Sequence, residues 1–195
     1  PGVFVLNLEV TICALTVGTE LSKLSPELSL FSIPGTPGLS LDLSYRSQDA
    51  YDGPLGIGRH HSYDVLLTEN EFGEAILTQG SGRYLVYTPN GNGTYASQSG
   101  DYSALVKNGD GTFTLTKQGG AVHTFNAAGR ITSITDRNGN AVTFAYADAR
   151  LAAVSDAAGR TIAFAYDGSG KLVSASDPAG RLYTLSVGET LQGVT

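Results

Sequence analysis

The last third of this 195-residue chain repeats one short pattern three times. In each copy an Asp precedes a Gly by three residues, and successive copies lie 20 and 21 residues apart. An Asp can bond its own backbone two residues on, and a Gly readily adopts positive φ, so each D-x-x-G predicts a turn between two strands. The predicted structural turn residues are Asp136, Gly139, Asp156, Gly159, Asp177 and Gly180.

Each repeat unit therefore predicts a β-hairpin with one apolar face. Apolar runs precede each Asp, and Phe144, Phe164 and Leu185 follow each Gly by five positions. One hairpin is marginally stable in water, so the units are expected to lie side by side in a continuing sheet. The sequence thus predicts three such hairpins over residues 126–186.

The earlier part of the chain also favours short strands and tight turns. Alternating apolar residues predict strands within residues 28–33, 39–45, 62–70, 74–79, 83–89 and 113–118. The Asn-Gly and Asp-Gly pairs at 90–93 and 108–111 predict hairpins with type I′ turns, and the Gly and Pro cluster at 53–58 predicts a compact loop. We predict an all-β fold: an antiparallel, twisted sheet of successive β-hairpins that can curl toward an open barrel or shell.

The first residues alternate apolar and polar side chains, which is typical of a strand with one buried face. This predicted assembly strand pairs either within the chain or with a neighbouring molecule; its apolar residues are Phe4, Leu6, Leu8, Val10 and Ile12. The stretch lacks the cationic start of a signal peptide, and the absence of Met at Pro1 suggests a processed or excerpted product. Cys13 is the only cysteine and is expected to be a buried thiol.

Charge and hydropathy exclude two classes of partner. The net charge is −6, and the Lys and Arg residues are scattered singly, whereas a nucleic-acid-binding protein would carry a basic patch. No run of about 18 apolar residues is present, so no helical membrane span is predicted. The stretch "GPLGIG" lacks the helix and Lys of a phosphate-binding loop, and we predict no cofactor.

The unit "GRITSITDRNGNAVTFAY", followed by "YDGSGKL", resembles the YD repeat of Rhs-type proteins. The upstream stretch "GLSLDLSYRSQDAYDGPLGIG" and "HHSYD" resemble the segment that precedes such repeats. The predicted regions are an N-terminal strand segment (1–18), an Rhs-type β domain (19–125), three YD-type hairpins (126–186) and a tail (187–195). Three features depart from the family pattern: Arg59 stands where Trp is usual, "ADAR" at 147–150 lacks a turn Gly, and Val187-Gly188 replaces the closing Tyr-Asp.

The resemblance implies an extracellular or bacterial cell-surface setting and three hypotheses. The first is a structural protein that self-assembles into a filament or surface layer by β-strand addition. The second is a fragment of an Rhs-type shell that encloses a toxin; such shells can cut themselves near an Asp-Pro-x-Gly segment, although a turn is favoured for Asp177-Pro178. The third is a carbohydrate-binding surface module that stacks glycans on Phe144, Tyr146, Phe164 and Tyr166, although core or cross-strand packing is favoured for these four residues.

The sequence shows no arrangement typical of an enzyme. His60 and His61 with Asp64 suggest a metal site or a triad, but adjacent residues on a strand point to opposite faces. His123 has no nearby partner in sequence, and no G-x-S-x-G motif is present. The "NGNG" and "NGDG" stretches lack the twelve-residue calcium loop. We therefore predict no catalytic residue, no metal ligand and no enzymatic activity.

Overall fold

The computed structural model describes residues 6–7 and 27–185, and these residues form β-strands and no helix. The predicted all-β class is therefore confirmed. The strands are β1 Leu6–Asn7, β2 Glu27–Ile33, β3 Leu39–Tyr45, β4 Asp52–Gly53, β5 Gly56–Ile57, β6 Arg59–His61, β7 Leu66–Glu69, β8 Ala75–Thr78, β9 Tyr84–Pro89, β10 Thr94–Ser97, β11 Ala104–Lys107, β12 Phe113–Thr116, β13 Val122–Phe125, β14 Ile131–Thr135, β15 Ala141–Ala147, β16 Arg150–Ser155, β17 Thr161–Tyr166, β18 Leu172–Ser176 and β19 Leu182–Thr184.

One long sheet contains the strands from β7 to β19, each paired antiparallel with the next in the chain. It continues from β12 through β13 into β14 without a break, so the predicted repeats extend a sheet that has already begun. At the far edge, β1 pairs in parallel with β19 through Leu6 and Tyr183. The predicted antiparallel sheet of successive hairpins is confirmed.

The long sheet coils back toward its own first strand without closing into a barrel. The N–H of Leu67 on β7 donates a 2.9 Å hydrogen bond to the carbonyl of Gly129, in the turn before β14, and Leu66 forms an antiparallel bridge with Arg130. Across the coil, the Tyr95 hydroxyl donates to the Glu69 carboxylate at 2.7 Å, although β10 and β7 are not neighbours in the sheet. These contacts protect the β7 edge within the molecule.

The inward-facing side chains of strands β7 to β13 fill the space that this part of the long sheet encloses. Alternate residues of β7 to β13 are buried, as the period of two along a strand requires. Tyr95 and Phe113 meet with ring centroids 6.4 Å apart inside this region. The buried apolar residues here are Leu67, Ala75, Leu77, Leu85, Tyr87, Tyr95, Leu105, Phe113, Leu115 and Phe125.

A second, three-stranded sheet covers the inner face of the repeat strands. Its order is β2-β3-β6, and β3 pairs antiparallel with both neighbours. Leu39 and Leu41 on β3 are at most 1% exposed and share one core with buried residues of the repeats, such as Phe164. We call strands β2, β3 and β6 the cover sheet. It provides the second layer that a one-sided apolar sheet needs.

The observed turns correct the predicted turn type. In the loop that begins at Asn108, the N–H of Asn108 bonds the carbonyl of Thr112, and only Gly111 has positive φ, at 83°. A type I′ turn needs positive φ at both central residues, so the prediction of type I′ was wrong at this position. Two consecutive positive φ angles occur instead at Asp148 (47°) and Ala149 (68°), where the sequence lacks Gly.

Several strands escaped sequence analysis because they are short. The cluster predicted as a compact loop at 53–58 contains a small hairpin of β4 and β5, and β6, β10, β11 and β13 were also missed. Strands of two to four residues are too brief to show a clear alternation. Of the predicted assembly strand, Leu6 lies in β1; Phe4, Leu8, Val10 and Ile12 lie outside the described residues, as do Cys13 and the tail 187–195.

The coil depends on a close backbone approach at Gly129. A Cβ at this position would lie 1.7 Å from the carbonyl oxygen of Leu67, and φ is 74°. Gly159 has a similar φ of 77° but open space around it. We expect Gly159→Ala to cost about 1 kcal/mol through left-handed strain alone, and Gly129→Ala about 3 kcal/mol because the Leu67 bond also breaks. Urea unfolding measures both losses, and equal losses would contradict the role of the Leu67–Gly129 contact.

Candidate functional site

The D-x-x-G turns have one common geometry. In the first, Oδ1 of Asp136 accepts the N–H of Asn138 at 2.8 Å and that of Asn140 at 2.9 Å. Gly139, at φ 88°, reverses the chain and donates its N–H to the Asp136 carbonyl. Asp156 with Gly159 and Asp177 with Gly180 repeat every one of these bonds. One carboxylate oxygen thus satisfies two amides that the turn leaves unpaired.

Three further turns that sequence analysis did not single out have the same geometry. Oδ1 of Asn70, of Asn126 and of Asp167 each accepts the N–H groups two and four residues on. A Gly with positive φ again stands three residues after each of them. The pattern that predicts these turns is Asn or Asp three residues before Gly, because an amide oxygen accepts hydrogen bonds as a carboxylate oxygen does.

Arg160 connects one turn to the cover sheet. Its Nε donates to Oδ2 of Asp156 at 2.7 Å, and its Nη1 donates to the carbonyl of Pro34 at 2.7 Å. Burial acts to raise the pKa of Asp156, but hydrogen bonds from Arg160 and the turn amides outweigh it, so the pKa lies below its ordinary value. Asp177 binds Arg181 in the same manner, through Nε at 2.6 Å.

A second connection lies at the opposite end of the repeat strands. Lys171, in the turn between β17 and β18, donates to the carboxylate of Asp52 at 2.5 Å and to the carbonyl of Gly53 at 3.0 Å. The next amide, that of Leu172, donates to the carbonyl of Pro54 at 2.8 Å. The N-terminal region therefore holds the repeat sheet at both ends of its strands.

The tyrosines of the repeats bond the start of the preceding strand. The Tyr146 hydroxyl donates to the carbonyl of Ile131 and the Tyr166 hydroxyl to that of Leu151, both at 2.9 Å. A register shift precedes each tyrosine, between residues 145 and 146 and between 165 and 166. Such bulges redirect a side chain and increase local twist, which suits a sheet that coils.

The four aromatic residues considered for glycan stacking separate into two pairs. Phe144 and Phe164 are buried, and Tyr63 packs edge-on against both rings at centroid distances of 5.9 and 6.2 Å. Tyr146 and Tyr166 remain partly exposed. The two phenylalanines therefore belong to the core, and only the tyrosines lie where a ligand can reach them.

A group of ionisable side chains surrounds His60, which is fully buried. Its Nε2 lies 3.0 Å from the Asp49 carboxylate and its Nδ1 lies 3.2 Å from the Asp64 carboxylate. Tyr51 stacks on the imidazole at 5.0 Å and donates to Asp64. Burial lowers the pKa of His60, but the bonds to Asp64 and Asp49 outweigh burial and leave the pKa raised.

The neighbouring His61 faces the other way, as expected for adjacent strand residues. Its ring stacks on Phe164 at 5.7 Å, and its Nδ1 accepts the N–H of Tyr63 at 3.3 Å. Burial lowers the pKa of His61 to about 4, so this imidazole is neutral at pH 7. The two imidazoles thus point to opposite sides of the strand and do not converge on one site.

The remaining candidates are also separate. His123 lies on β13, opposite Leu115 and Ile134 in the pairing register, and burial lowers its pKa to about 4. Within residues 27–185, no group of three or more His, Cys, Asp or Glu side chains is placed to hold a metal ion. The same part of the chain has no helix long and apolar enough to cross a membrane.

Comparison with known families identifies both halves of this arrangement. The RHS Repeat family matches residues 125–150 and 150–182, and the domain of unknown function DUF6531 matches residues 20–87. The first match covers the hairpins from β14 to β18, and the second includes the cover sheet. Both matches are those expected of an Rhs/YD-repeat protein, the resemblance on which the sequence analysis relied. No curated protein shows significant similarity to it.

The adjacent histidines predict opposite pH dependences of stability. Because the folded pKa of His60 is raised, its stabilisation is present below pH 6.5 and is lost as pH rises through the folded value. The folded pKa of His61 is lowered to about 4. The contribution of His61 to the free energy of unfolding is therefore present at pH 7 and falls by about 2 kcal/mol toward pH 5. Urea unfolding from pH 5 to 8 should therefore show that His61→Gln reduces the acid loss, the rest of which comes from His123 with its similarly lowered pKa, and that His60→Gln removes the alkaline loss. Slopes unchanged from the wild type in both variants would contradict this assignment.

Proposed function

We propose that the protein is a non-enzymatic structural scaffold, in which the cover sheet organises the start of a YD-repeat sheet. Support comes above all from the packing of Tyr63, in the loop after β6, against the buried rings of Phe144 and Phe164, which places one layer of the chain over the apolar face of the other. The ties through Arg160 and Lys171 fix the position of this layer along the strands. Such an arrangement supplies rigidity and shape.

The absence of enzymatic activity is part of the proposal. Both ring nitrogens of His60 are engaged by carboxylates, and His61 lies under Phe164, so neither imidazole is free to serve as a general base. The carboxylate of Asp177, in the Asp-Pro segment considered for self-cleavage, bonds two turn amides and Arg181. The scaffold is expected to work without a cofactor.

Proteins with RHS repeats are generally cell-surface or secreted proteins. We place this scaffold outside the cell, at the bacterial surface or in the extracellular medium. The RHS Repeat match supports this placement. The toxin-shell hypothesis is favoured by one observation, the coiling of the sheet back to β7: added repeats would continue the coil around an interior.

The scaffold role predicts that the cover sheet and the repeats unfold together. Leu41 on β3 is fully buried, so Leu41→Ala should destabilise the protein by about 3 kcal/mol. Phe72→Ala is the matched control, because Phe72 is 75% exposed and its truncation should change stability by less than about 0.5 kcal/mol. Hydrogen exchange read by mass spectrometry should show β15 and β17 losing protection with β3 in Leu41→Ala. Repeat strands that stay protected while β3 opens would contradict the role of the cover sheet.

Self-assembly is the second part of the proposal. The edge strand β19 accepts the N-terminal segment through Leu6 and Asn7, and the same pairing between two copies would link molecules by strand exchange. Light scattering should show a mass that rises with concentration, electron microscopy should show filaments, and deletion of residues 1–17 should leave a folded monomer. A wild-type protein that stays monomeric at all concentrations would contradict strand exchange and favour the shell hypothesis.

A further inference from the structure

The loop that follows β3 is held against His60 by a single side chain. Residues 46–51 form this loop, and Gly58 joins its two ends: the N–H of residue 46 donates to the carbonyl of Gly58, and the N–H of Gly58 donates to the carbonyl of residue 51, both at 2.8 Å. Between these anchors the Asp49 side chain is only 8% exposed, and its Oδ2 lies 3.0 Å from Nε2 of His60. We call residues 46–51 the latch loop.

The same carboxylate connects the latch loop to the long sheet. The Tyr84 hydroxyl, on β9, lies 3.0 Å from each carboxylate oxygen of Asp49, to which it donates. In the turn between β8 and β9, Gly82 packs so closely that a Cβ there would lie 2.6 Å from the His60 ring. His60 therefore lies where the latch loop, the cover sheet and the first strands of the long sheet meet.

His60 is the group in this region whose charge changes in mildly alkaline solution. The titratable and charged groups around it are Arg46 and Asp49 of the latch loop, Tyr51 at its end, the adjacent His61, Asp64 after β6, and Tyr84 of β9. Burial and the neighbouring carboxylates raise the pKa values of Tyr51 and Tyr84, so both remain hydroxyls at pH 9. Burial lowers the pKa of His61 to about 4, so it is neutral throughout. Ordinary carboxyl and guanidinium groups do not change charge between pH 6 and 9.

Loss of its proton changes the contacts that His60 can make. Both ring nitrogens face carboxylates, and only the imidazolium has two N–H groups to donate to them. Asp64 is fixed in a tight turn, because its own N–H donates to the His61 carbonyl at 2.8 Å, whereas the chain beside Asp49 is exposed at positions 47, 48 and 50. A neutral imidazole therefore keeps its proton on Nδ1 and turns the lone pair of Nε2 toward the Asp49 carboxylate, so that two acceptors repel each other.

We propose that the latch loop is a pH-controlled device, closed while His60 is an imidazolium and open once His60 has lost its proton. Opening separates Asp49 from Tyr84 and so releases one tie between the N-terminal region and β9. It also widens a cleft that the latch loop and Tyr84 line, whose volume in the closed form is about 200 Å³. The residues that follow the loop stay in place, because Lys171 binds Asp52 and Leu55 is buried. The inference does not depend on the scaffold role or on self-assembly, since every group involved belongs to one folded molecule.

Hydrogen exchange of two backbone amides tests the inference on the unchanged protein. In the closed loop the N–H of Asp49 donates to the carbonyl of residue 46, and the N–H of Tyr51 donates to Oδ1 of Asp49. After correction for the intrinsic effect of pH, both amides should exchange at least about ten-fold faster once nitrogen NMR shows that His60 has lost its proton between pH 6 and 9. Amides of β11 and β12 should keep their protection. Exchange that ignores the His60 proton, a His60 still protonated at pH 9, or an equal loss of protection in β11 and β12 would each overturn the proposal.

Replacing one oxygen of Asp49 should reverse the response. In Asp49→Asn the amide Nδ2 takes the place of Oδ2, donates to an unprotonated Nε2 of His60 and repels a protonated one. The latch loop of this variant should therefore be protected at pH 9 and exchange faster at pH 6. Asp52→Asn is the matched control, because Asp52 binds Lys171 and not His60, and it should keep the wild-type response. Protection of β11 and β12 shows that each variant is folded, and an Asp49→Asn loop that still opens on the alkaline side would show that His60 does not control it.

Discussion

The structure depends on the coverage of one apolar sheet face by a layer from the same chain. Successive hairpins place Phe144, Phe164 and their equivalents on one side, and such a face is unstable in water unless a second layer removes it from solvent. The cover sheet performs this task together with the loop that follows β6. The rings of His61 on β6 and of Tyr63 in that loop pack directly against those phenylalanines. The neutral state of His61 follows from this position, since a charge there would have to be buried among aromatic rings.

The coil of the long sheet has a local cause in the repeats themselves. Bulges before Tyr146 and Tyr166 recur at the same place in successive hairpins, and each adds twist in the same sense. The hydroxyl bonds of the two tyrosines then hold each bulge against the preceding strand. The coil meets its own beginning at Gly129, where only a residue without a side chain permits the backbone of β7 to approach.

Sequence predicted what depends on local chemistry and missed what depends on distant contacts. The Asp and Gly of each turn act within five residues, so their spacing along the chain was sufficient to place the hairpins. Asp64, four residues from His60, stood out in the sequence, but Asp49 could not be found in this way, because it lies eleven residues away across a loop whose path is set by packing. The separation of Phe144 and Phe164 from Tyr146 and Tyr166 could not be predicted either. An alternation of period two shows which residues share one face of a strand, but it does not show which part of the chain covers that face.

The charged residues at the two ends of the repeat strands differ in how they are paired. At one end, the residue after Gly159 and the residue after Gly180 are arginines that return to the Asp of their own turn, so charge is neutralised locally. At the other end, the residue after Gly170 is Lys171, whose ammonium group leaves its own turn for Asp52, and the tight turn at 148–149 places Arg150 beside Tyr166. The repeats thus present one end where arginines are neutralised within their own turns and another where Lys171 reaches the N-terminal region and Arg150 lies over an aromatic ring.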